Sequence, residues 1–360
     1  MINPEAIHLA AEMIKQGRIV AFPTETVYGL GADAFNPVAV ARIFEVKRRP
    51  HFDPLIVHVA GYGDLNKLVM EIPSNAIKLM ERFWPGPLTL VLSKTGEVPE
   101  IVTAGLPSIA VRMPNHPMAI AFIEKAGTPI AAPSANPFGY VSPTHADHVR
   151  EQLGDQVDFI LDGGPCEVGV ESTILSFVEE EPRLLRPGGI PLEEIEAIMG
   201  KVSIGSITQG HPSAPGMLPK HYAPHTPILL DWHEEEVCGE GKRKVGLLAF
   251  RQSRFSSKFS HVEILSERGD LREAAANLFA ALRRLDGLNL DLILAESVPE
   301  VGLGRAIMDR LRRASSGFAL TLASQNPIST FRGKGKGLYT SENLLNDRKT
   351  DRRIDNEEKR

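Results

Sequence analysis

Short apolar runs bounded by turn residues alternate along the chain with stretches of helical period. The runs "RIVAF" (18–22), "PLIVHV" (54–59), "LTLVLS" (88–93), "SIAVRM" (108–113), "PIAAPSA" (129–135), "DFILDGG" (158–164) and "STILSFV" (172–178) predict strands. Asn3-Pro4, Asn36-Pro37 and Ser142-Pro143 each put a capping side chain before a proline at the first helical position. Gly17 and Gly154 then close the first and third of these helices. The mixture predicts an α/β sheet domain over 1–200 in which some neighbouring strands are hairpin partners and antiparallel.

Residues 201–226, "KVSIGSITQGHPSAPGMLPKHYAPHT", show neither period and predict a long linker. A tether is its simplest role; Lys220, His221 and Tyr222 among rigid Pro and Gly suit a lid better. A second α/β unit follows over 227–325. Its strands are "PILLDW", "KVGLLAF", "VEILSE" and "DLILAES", and its helices are 270–286 and "GLGRAIMDRLRRAS". This alternation predicts a small Rossmann-like domain. Gly302-Leu303-Gly304 lacks the third glycine of a dinucleotide fingerprint and reads as packing. The mixed-charge segment 326–360 reads as a disordered tail.

Composition excludes several classes. The 360 residues are 42% hydrophobic and 24% charged, an ordinary globular balance. A net charge of −5 argues against a surface that wraps nucleic acid throughout, while leaving room for a local basic cleft. The two cysteines, Cys166 and Cys238, have no metal-ligand spacing and point to a reducing compartment. The N-terminal stretch reads as an amphipathic helix rather than a signal peptide, and no run reaches the roughly 20 apolar residues of a membrane span. The expectation is a cytoplasmic chain with no membrane partner.

Candidate chemistry gathers at strand ends in the first domain. "FPTETVYGLG" (22–31) ends a strand in hydroxyls and a Gly-x-Gly turn. Lys47, Arg48 and Arg49 end a helix, where complementing its dipole would explain them. Arg112 stands in an apolar strand and needs an anionic partner if buried. Ser134, Asn136, Ser172, Thr173 and Arg186 lie beside strands that would share the sheet. Together they describe a cleft with cations for phosphates and carboxylates, and hydroxyls and amides that orient a polar ligand. There is no Walker loop, and no metal-binding motif. Cys166 reads as a small buried residue in a glycine turn.

PTETVYGLGADAF, the KxR of Lys47 and Arg49, PLIVHV, SIAVRMP, the SxN of Ser134 and Asn136, ESTI and RPG occur in the order seen in YrdC-like domains. With "APGMLPKHYAP" and the second α/β unit, the chain resembles the two-domain L-threonylcarbamoyladenylate synthases of tRNA modification over about residues 5–315. The resemblance implies a YrdC-like twisted mixed sheet with a concave basic cleft, and a smaller Rossmann-like α/β C-terminal domain. It implies an enzyme, a nucleotidyltransferase, that joins ATP, L-threonine and bicarbonate or CO2 into threonylcarbamoyl-AMP and pyrophosphate. Mg2+ would accompany ATP, and no dedicated metal site is expected. A threonylcarbamoyl-transferase complex would receive the product.

Residue by residue, the resemblance implies Thr26, His58, Arg112, Ala132 and Ser172 around L-threonine. For ATP it implies Arg49, Asp53, Ser108, Ser134, Asn136, Ser142, Arg186 and Tyr222. Lys47 and Arg49 take the catalytic role at the phosphates. Asp53 stands where relatives often have Asn, leaving open whether it repels phosphate, accepts from the adenine amino group or helps hold Mg2+. By burial rules alone His58 would be a satisfied core residue. Glu25 and Tyr28 read equally well as structural hydrogen-bond formers. Rival functions are a carbamoyl-adenylate-forming enzyme and an RNA-binding or ribosome-assembly module whose basic cleft takes a phosphate backbone, with weak RNA binding as a further partner.

Overall fold

The computed structural model describes residues 3–205, 214–218, 221–230, 232, 244–252 and 259–325, with 317–325 as helix backbone alone. The tail expected over 326–360 and the linker residue Lys220 lie outside the described residues.

Two of the three predicted helix starts form as read. Asn3 Oδ1 accepts from the Glu5 and Ala6 amides ahead of α1 (Pro4–Lys15). Asn36 Oδ1 accepts from Val38 and Ala39 ahead of α2 (Pro37–Lys47). The third does not: the helix α6 (Ala146–Leu153) starts four residues after Ser142. Ser142 is fully buried and its hydroxyl donates to Glu171 Oε1 at 2.6 Å, so it is not available as a cap. The other helices of this part are α3 (Ser74–Phe83), α4 (Glu100–Thr103), α5 (Pro117–Ala126) and α7 (Leu192–Met199).

The first sheet contains β1 (Val20–Phe22), β2 (Gly29–Asp33), β3 (Ile56–His58), β4 (Leu88–Ser93), β5 (Ser108–Arg112), β6 (Ile130–Ala131), β7 (Phe159–Ile160), β8 (Thr173–Ser176), β9 (Arg183–Arg186) and β10 (Ser203–Ile204). Among the described residues its order is β10–β9–β8–β4–β5–β3–β6–β2–β1–β7. Parallel pairs such as β3–β5 and β4–β8 alternate with antiparallel ones such as β4–β5 and β8–β9, giving a mixed sheet. Strand β10 forms at the start of the segment read as linker, paired to β9.

Gly29-Leu30-Gly31 was expected to turn, but it is extended as the start of β2, between β1 and β6. Neither Gly29 nor Gly31 has a positive φ. Close packing explains them instead: a Cβ on Gly31 would meet Ile130 Cγ2 at 2.6 Å and the Phe22 ring at 2.9 Å. The glycines let the Phe22 ring pack closely on the neighbouring strand.

Period-2 alternation decides what each sheet face carries. Ile109 and Val111 of β5, Val57 of β3 and Leu88, Leu90 and Leu92 of β4 enter the main core, against Ile43, Phe44 and Leu79 of α2 and α3. A second core joins α1 to α5 beneath Val20, Phe22 and Ile130. The alternate positions Ser108, Ala110 and Arg112, Ile56 and His58, and Thr89 and Val91 therefore share the opposite face of the central strands. That face is covered partly by the linker, where Ala214 packs against Ile56, Val91, Ala110 and Ile174.

A second sheet, β11 (Ile228–Leu230), β12 (Val245–Ala249), β13 (His261–Ile264) and β14 (Leu292–Ala295), is parallel throughout, in the order β11–β14–β12–β13. Helices α8 (Leu271–Asp286) and α9 (Gly304–Gln325) accompany it, with Leu278, Phe279, Leu282, Ile307 and Leu311 in its core. Gly304 opens α9 where a Cβ would strike the Pro299 carbonyl oxygen at 1.8 Å, so this glycine serves packing. Met1–Ser316, which holds both sheets, is one compact unit.

Candidate active site

The cleft lies over the face of β3, β5 and β8 that the main core leaves free. Its first wall is the turn after β1. Thr24 Oγ1 donates to the Val27 carbonyl at 2.6 Å and lies 2.8 Å from Thr26 Oγ1, which fixes the turn. Arg112 ends β5 in register with His58, at the end of β3. One guanidinium nitrogen of Arg112 donates to Thr26 Oγ1 at 2.9 Å and another stands 2.8 Å from Glu25 Oε1. Both charges of this pair are buried. Glu25 is thus the anionic partner a buried Arg112 requires. Tyr28 is structural: its hydroxyl donates to Gly164 O and accepts from Gly163 N.

His58 is buried beside Arg112, edge-on to Phe22 at 5.7 Å between ring centroids, and its Nδ1 has no hydrogen-bond partner. Burial, and then the Arg112 charge, push its pKa down to about 3. It is a neutral acceptor lining the cleft. The unfolded chain takes up this proton near pH 6.5, so the contribution of His58 to stability is full above that pH and is lost as pH falls toward 3. Between pH 7 and pH 4.5, the melting temperature of the wild type should fall further than that of His58→Gln. Parallel declines would show that His58 does not carry that proton linkage.

Ser172 precedes β8. Its Oγ lies 2.7 Å from Thr89 Oγ1 and accepts from Arg186 at 3.2 Å. Arg186 ends β9 and also donates to the Ser172 carbonyl and to Pro215 O of the linker, at 2.9 and 3.1 Å. One guanidinium therefore stitches the linker to the sheet. Arg49 is held from behind by Asp53, with nitrogen and carboxylate 2.9 Å apart, and by the Pro54 carbonyl at 2.8 Å. Asp53 is fully buried and does not line the cleft. Its observed role is to orient Arg49, a fourth option beside the three the sequence leaves open.

The structure brings Thr26, His58, Arg112, Ala132 and Ser172 into one pocket with Arg49, Ser134, Arg186 and Tyr222. Four other expected residues stand apart from that lining. Ser108 shares the cleft's sheet face but lies at the other end of β5, about 13 Å along the strand from Arg112. Ser142 sits behind Glu171. Asn136 turns its amide to the Pro137 and Tyr140 carbonyls at 2.8 and 3.0 Å. Lys47 is buried, and its ammonium donates to the carbonyls of Ser134, at 2.6 Å, and Asn136. Lys47 and Asn136 thus brace the wall that Ser134 presents.

From the linker, His221 and Tyr222 close the cleft. Tyr222 is buried in the left-handed region at φ 62°, a conformation a non-glycine residue holds only when its surroundings enforce it. Burial raises the pKa of its hydroxyl, which has no hydrogen-bond partner. Burial, then Arg49 and Lys47, hold His221 neutral, its pKa well below the usual range. The sequence reading missed Glu171, which lines the cleft, and Arg310, which pairs with it at 2.8 Å. Glu171 lies in the quoted "ESTI" motif without a role; Arg310 is a charge on an otherwise apolar helix stripe of Ala306, Ile307, Leu311 and Ala314.

Chemically, this is a site for anions. Three arginines converge while the carboxylates Glu25, Asp53 and Glu171 are each neutralised by an arginine. Among the described residues no group of three or more His, Cys, Asp or Glu side chains is arranged to hold a metal ion. No described helix is long and apolar enough to cross a membrane.

The family model described as telomere recombination (Sua5, YciO, YrdC) matches residues 12–188, and the model for the threonylcarbamoyl-AMP synthase C-terminal domain matches residues 190–316. The threonylcarbamoyl-AMP synthase of Pyrococcus abyssi is 46% identical over 324 residues, covering 86% of this chain and 94% of that protein. That of Bacillus subtilis is 44% identical over 326 residues, covering 88% and 94%. The structure of P. abyssi Sua5 complexed with L-threonine matches with a TM-score of 0.82 at 45% identity, covering 88% of this chain and 96% of that one.

Proposed function

The chain belongs to the threonylcarbamoyl-AMP synthase family in its two-domain form, and from that membership we infer that it joins ATP, L-threonine and bicarbonate or CO2 into threonylcarbamoyl-AMP and pyrophosphate. The product serves threonylcarbamoyladenosine modification of tRNA. One observation in the structure carries the reading furthest: the pocket of Arg112, Thr26 and His58 opens into the same cleft as Arg49 and Arg186. An amino-acid carboxylate and a polyphosphate can therefore be held side by side.

The neutral amine of threonine attacks CO2, forming the N–C bond and releasing a proton, to give a carbamate. A carbamate oxygen then attacks the α-phosphorus, the bond to the β-phosphate oxygen breaks, and pyrophosphate leaves. Carboxylate, carbamate and triphosphate repel one another unless screened. The arginines supply that screening in a site largely closed to water, so catalysis is positioning and electrostatics rather than a covalent nucleophile. We assign Arg112 to the substrate carboxylate, neutral His58 and Thr26 to its polar groups, and Arg49, Ser134, Arg186 and Tyr222 to the nucleotide. Mg2+ enters as the counter-ion of ATP, because each nearby carboxylate already has an arginine. A threonylcarbamoyl-transferase complex in the cytoplasm is the proposed acceptor.

Pyrophosphate release from ATP tests this reading. It should require L-threonine and bicarbonate together, and L-serine should support it less well. Folded protein that releases none under any combination, yet binds RNA with steep salt dependence, would favour the RNA-binding module instead.

A further inference from the structure

Arg310 reaches from the helix α9 beside the second sheet to Glu171, at the wall of the cleft over the first. It is fully buried. Its Nε donates to Glu171 Oε2 at 2.8 Å, and Nη1 donates to the Pro187 carbonyl at 3.0 Å and to Asp309 at 2.6 Å. The guanidinium carbon lies 5.0 Å from the centre of the Tyr222 ring, which also stacks on Phe279 of α8 at 5.7 Å and 24° and meets the His221 ring at 4.1 Å. Nη2 of Arg310 has no hydrogen-bond partner. Glu171 in turn lines the cleft beside Ser172 and Arg186.

We propose that Arg310 is a positioning residue for the nucleotide half of the site: it neutralises Glu171 at the wall of the cleft, so that docking of the C-terminal domain sets the affinity for ATP. A lone Glu171 carboxylate beside an incoming triphosphate would repel it, and in a buried setting that repulsion is weakly screened. The strained Tyr222 backbone keeps its enforcing contacts when Arg310 is replaced, because Phe279 and His221 pack against the ring. Breaking a buried pair from one side costs far more than removing both charges, so the two substitutions should not behave additively. The proposal deepens the synthase reading and rests on it for the identity of the nucleotide, but its test reads binding rather than turnover.

The experiment is calorimetric titration of the full chain with α,β-methylene-ATP and, separately, with L-threonine. Arg310→Met should weaken the nucleotide about tenfold or more and threonine less than about threefold, while Glu171→Gln/Arg310→Met should return to within about threefold of wild type for both. Equal losses for the two ligands, or a double variant no tighter than the single one, would overturn the proposal. Should Arg310→Met fail to fold, the double variant decides alone: folded with near-wild-type nucleotide affinity it supports the pairing, and folded without it, it refutes it. A wild type that binds α,β-methylene-ATP yet releases no pyrophosphate from ATP would sink the synthase reading and leave the Arg310 comparison readable. A wild type that binds neither ligand would overturn both.

Discussion

Alanine at Arg112 is expected to weaken L-threonine binding about a hundredfold or more while leaving nucleotide binding within about threefold. Charge-assisted hydrogen bonds to a substrate carboxylate contribute about 1.5–3 kcal/mol each, so losing a bidentate pair accounts for that factor. The same substitution strips Glu25 of its partner in a buried site, which should cost about 3–5 kcal/mol of stability. The two effects separate in Arg112→Ala/Glu25→Gln. That variant should regain most of the lost melting temperature and none of the threonine affinity, because the unpaired carboxylate is gone but the substrate's cation is still missing. Calorimetry with L-threonine alongside thermal unfolding checks both. Threonine affinity equal in wild type and Arg112→Ala would remove Arg112 from the substrate site.

What the sequence made legible follows from how local each signal is. Strand ends announce themselves, because an apolar run that stops at His58 or Arg112 displays a polar side chain where the sheet face opens. Asn3 and Asn36 cap helices through bonds within three residues, and both formed. Ser142 carried the same cap signature but was claimed by Glu171, 29 residues away, and no local rule weighs that competition. Gly29 and Gly31 were read as turn residues since glycine most often marks one; the cause was the Phe22 ring packed closely against them. Arg310 and Glu171 meet across 139 residues and two sheets. A charge interrupting the apolar stripe of α9 was the available clue, and it says that a partner exists without saying where. Membership of the cleft was thus readable at strand ends, while the residues that brace it were not.

Lys47→Met is expected to reduce ATP binding about thirtyfold or more and to lower the melting temperature, with threonine affinity within about threefold of wild type. The ammonium end of this buried side chain, at the end of α2, donates to the Ser134 and Asn136 carbonyls, and the Lys47 carbonyl accepts from the Phe138 amide at 2.9 Å. Phe138 in turn packs edge-on to His221 and lies under the Arg49 guanidinium, with centres 5.8 and 5.9 Å away. Methionine keeps the length and apolar stem of the lysine but donates nothing, so the Asn136 carbonyl loses its partner at about 1–3 kcal/mol, while the Ser134 carbonyl keeps the Asn136 amide at 3.0 Å. The wall should loosen where the nucleotide is proposed to sit, and not around Arg112, Thr26 and His58, which hang from other parts of the fold. Burial, and then the Arg49 charge, hold the Lys47 pKa well below the ordinary lysine value, although Asp53 opposes them. An ammonium in that setting depends on the carbonyls for its charge as much as they depend on it for order. Binding of α,β-methylene-ATP and the rate of pyrophosphate release distinguish bracing from direct chemistry. Lost binding supports the brace; intact binding with lost release would instead place the ammonium on the reacting phosphates, which requires it to leave both carbonyls when ATP arrives.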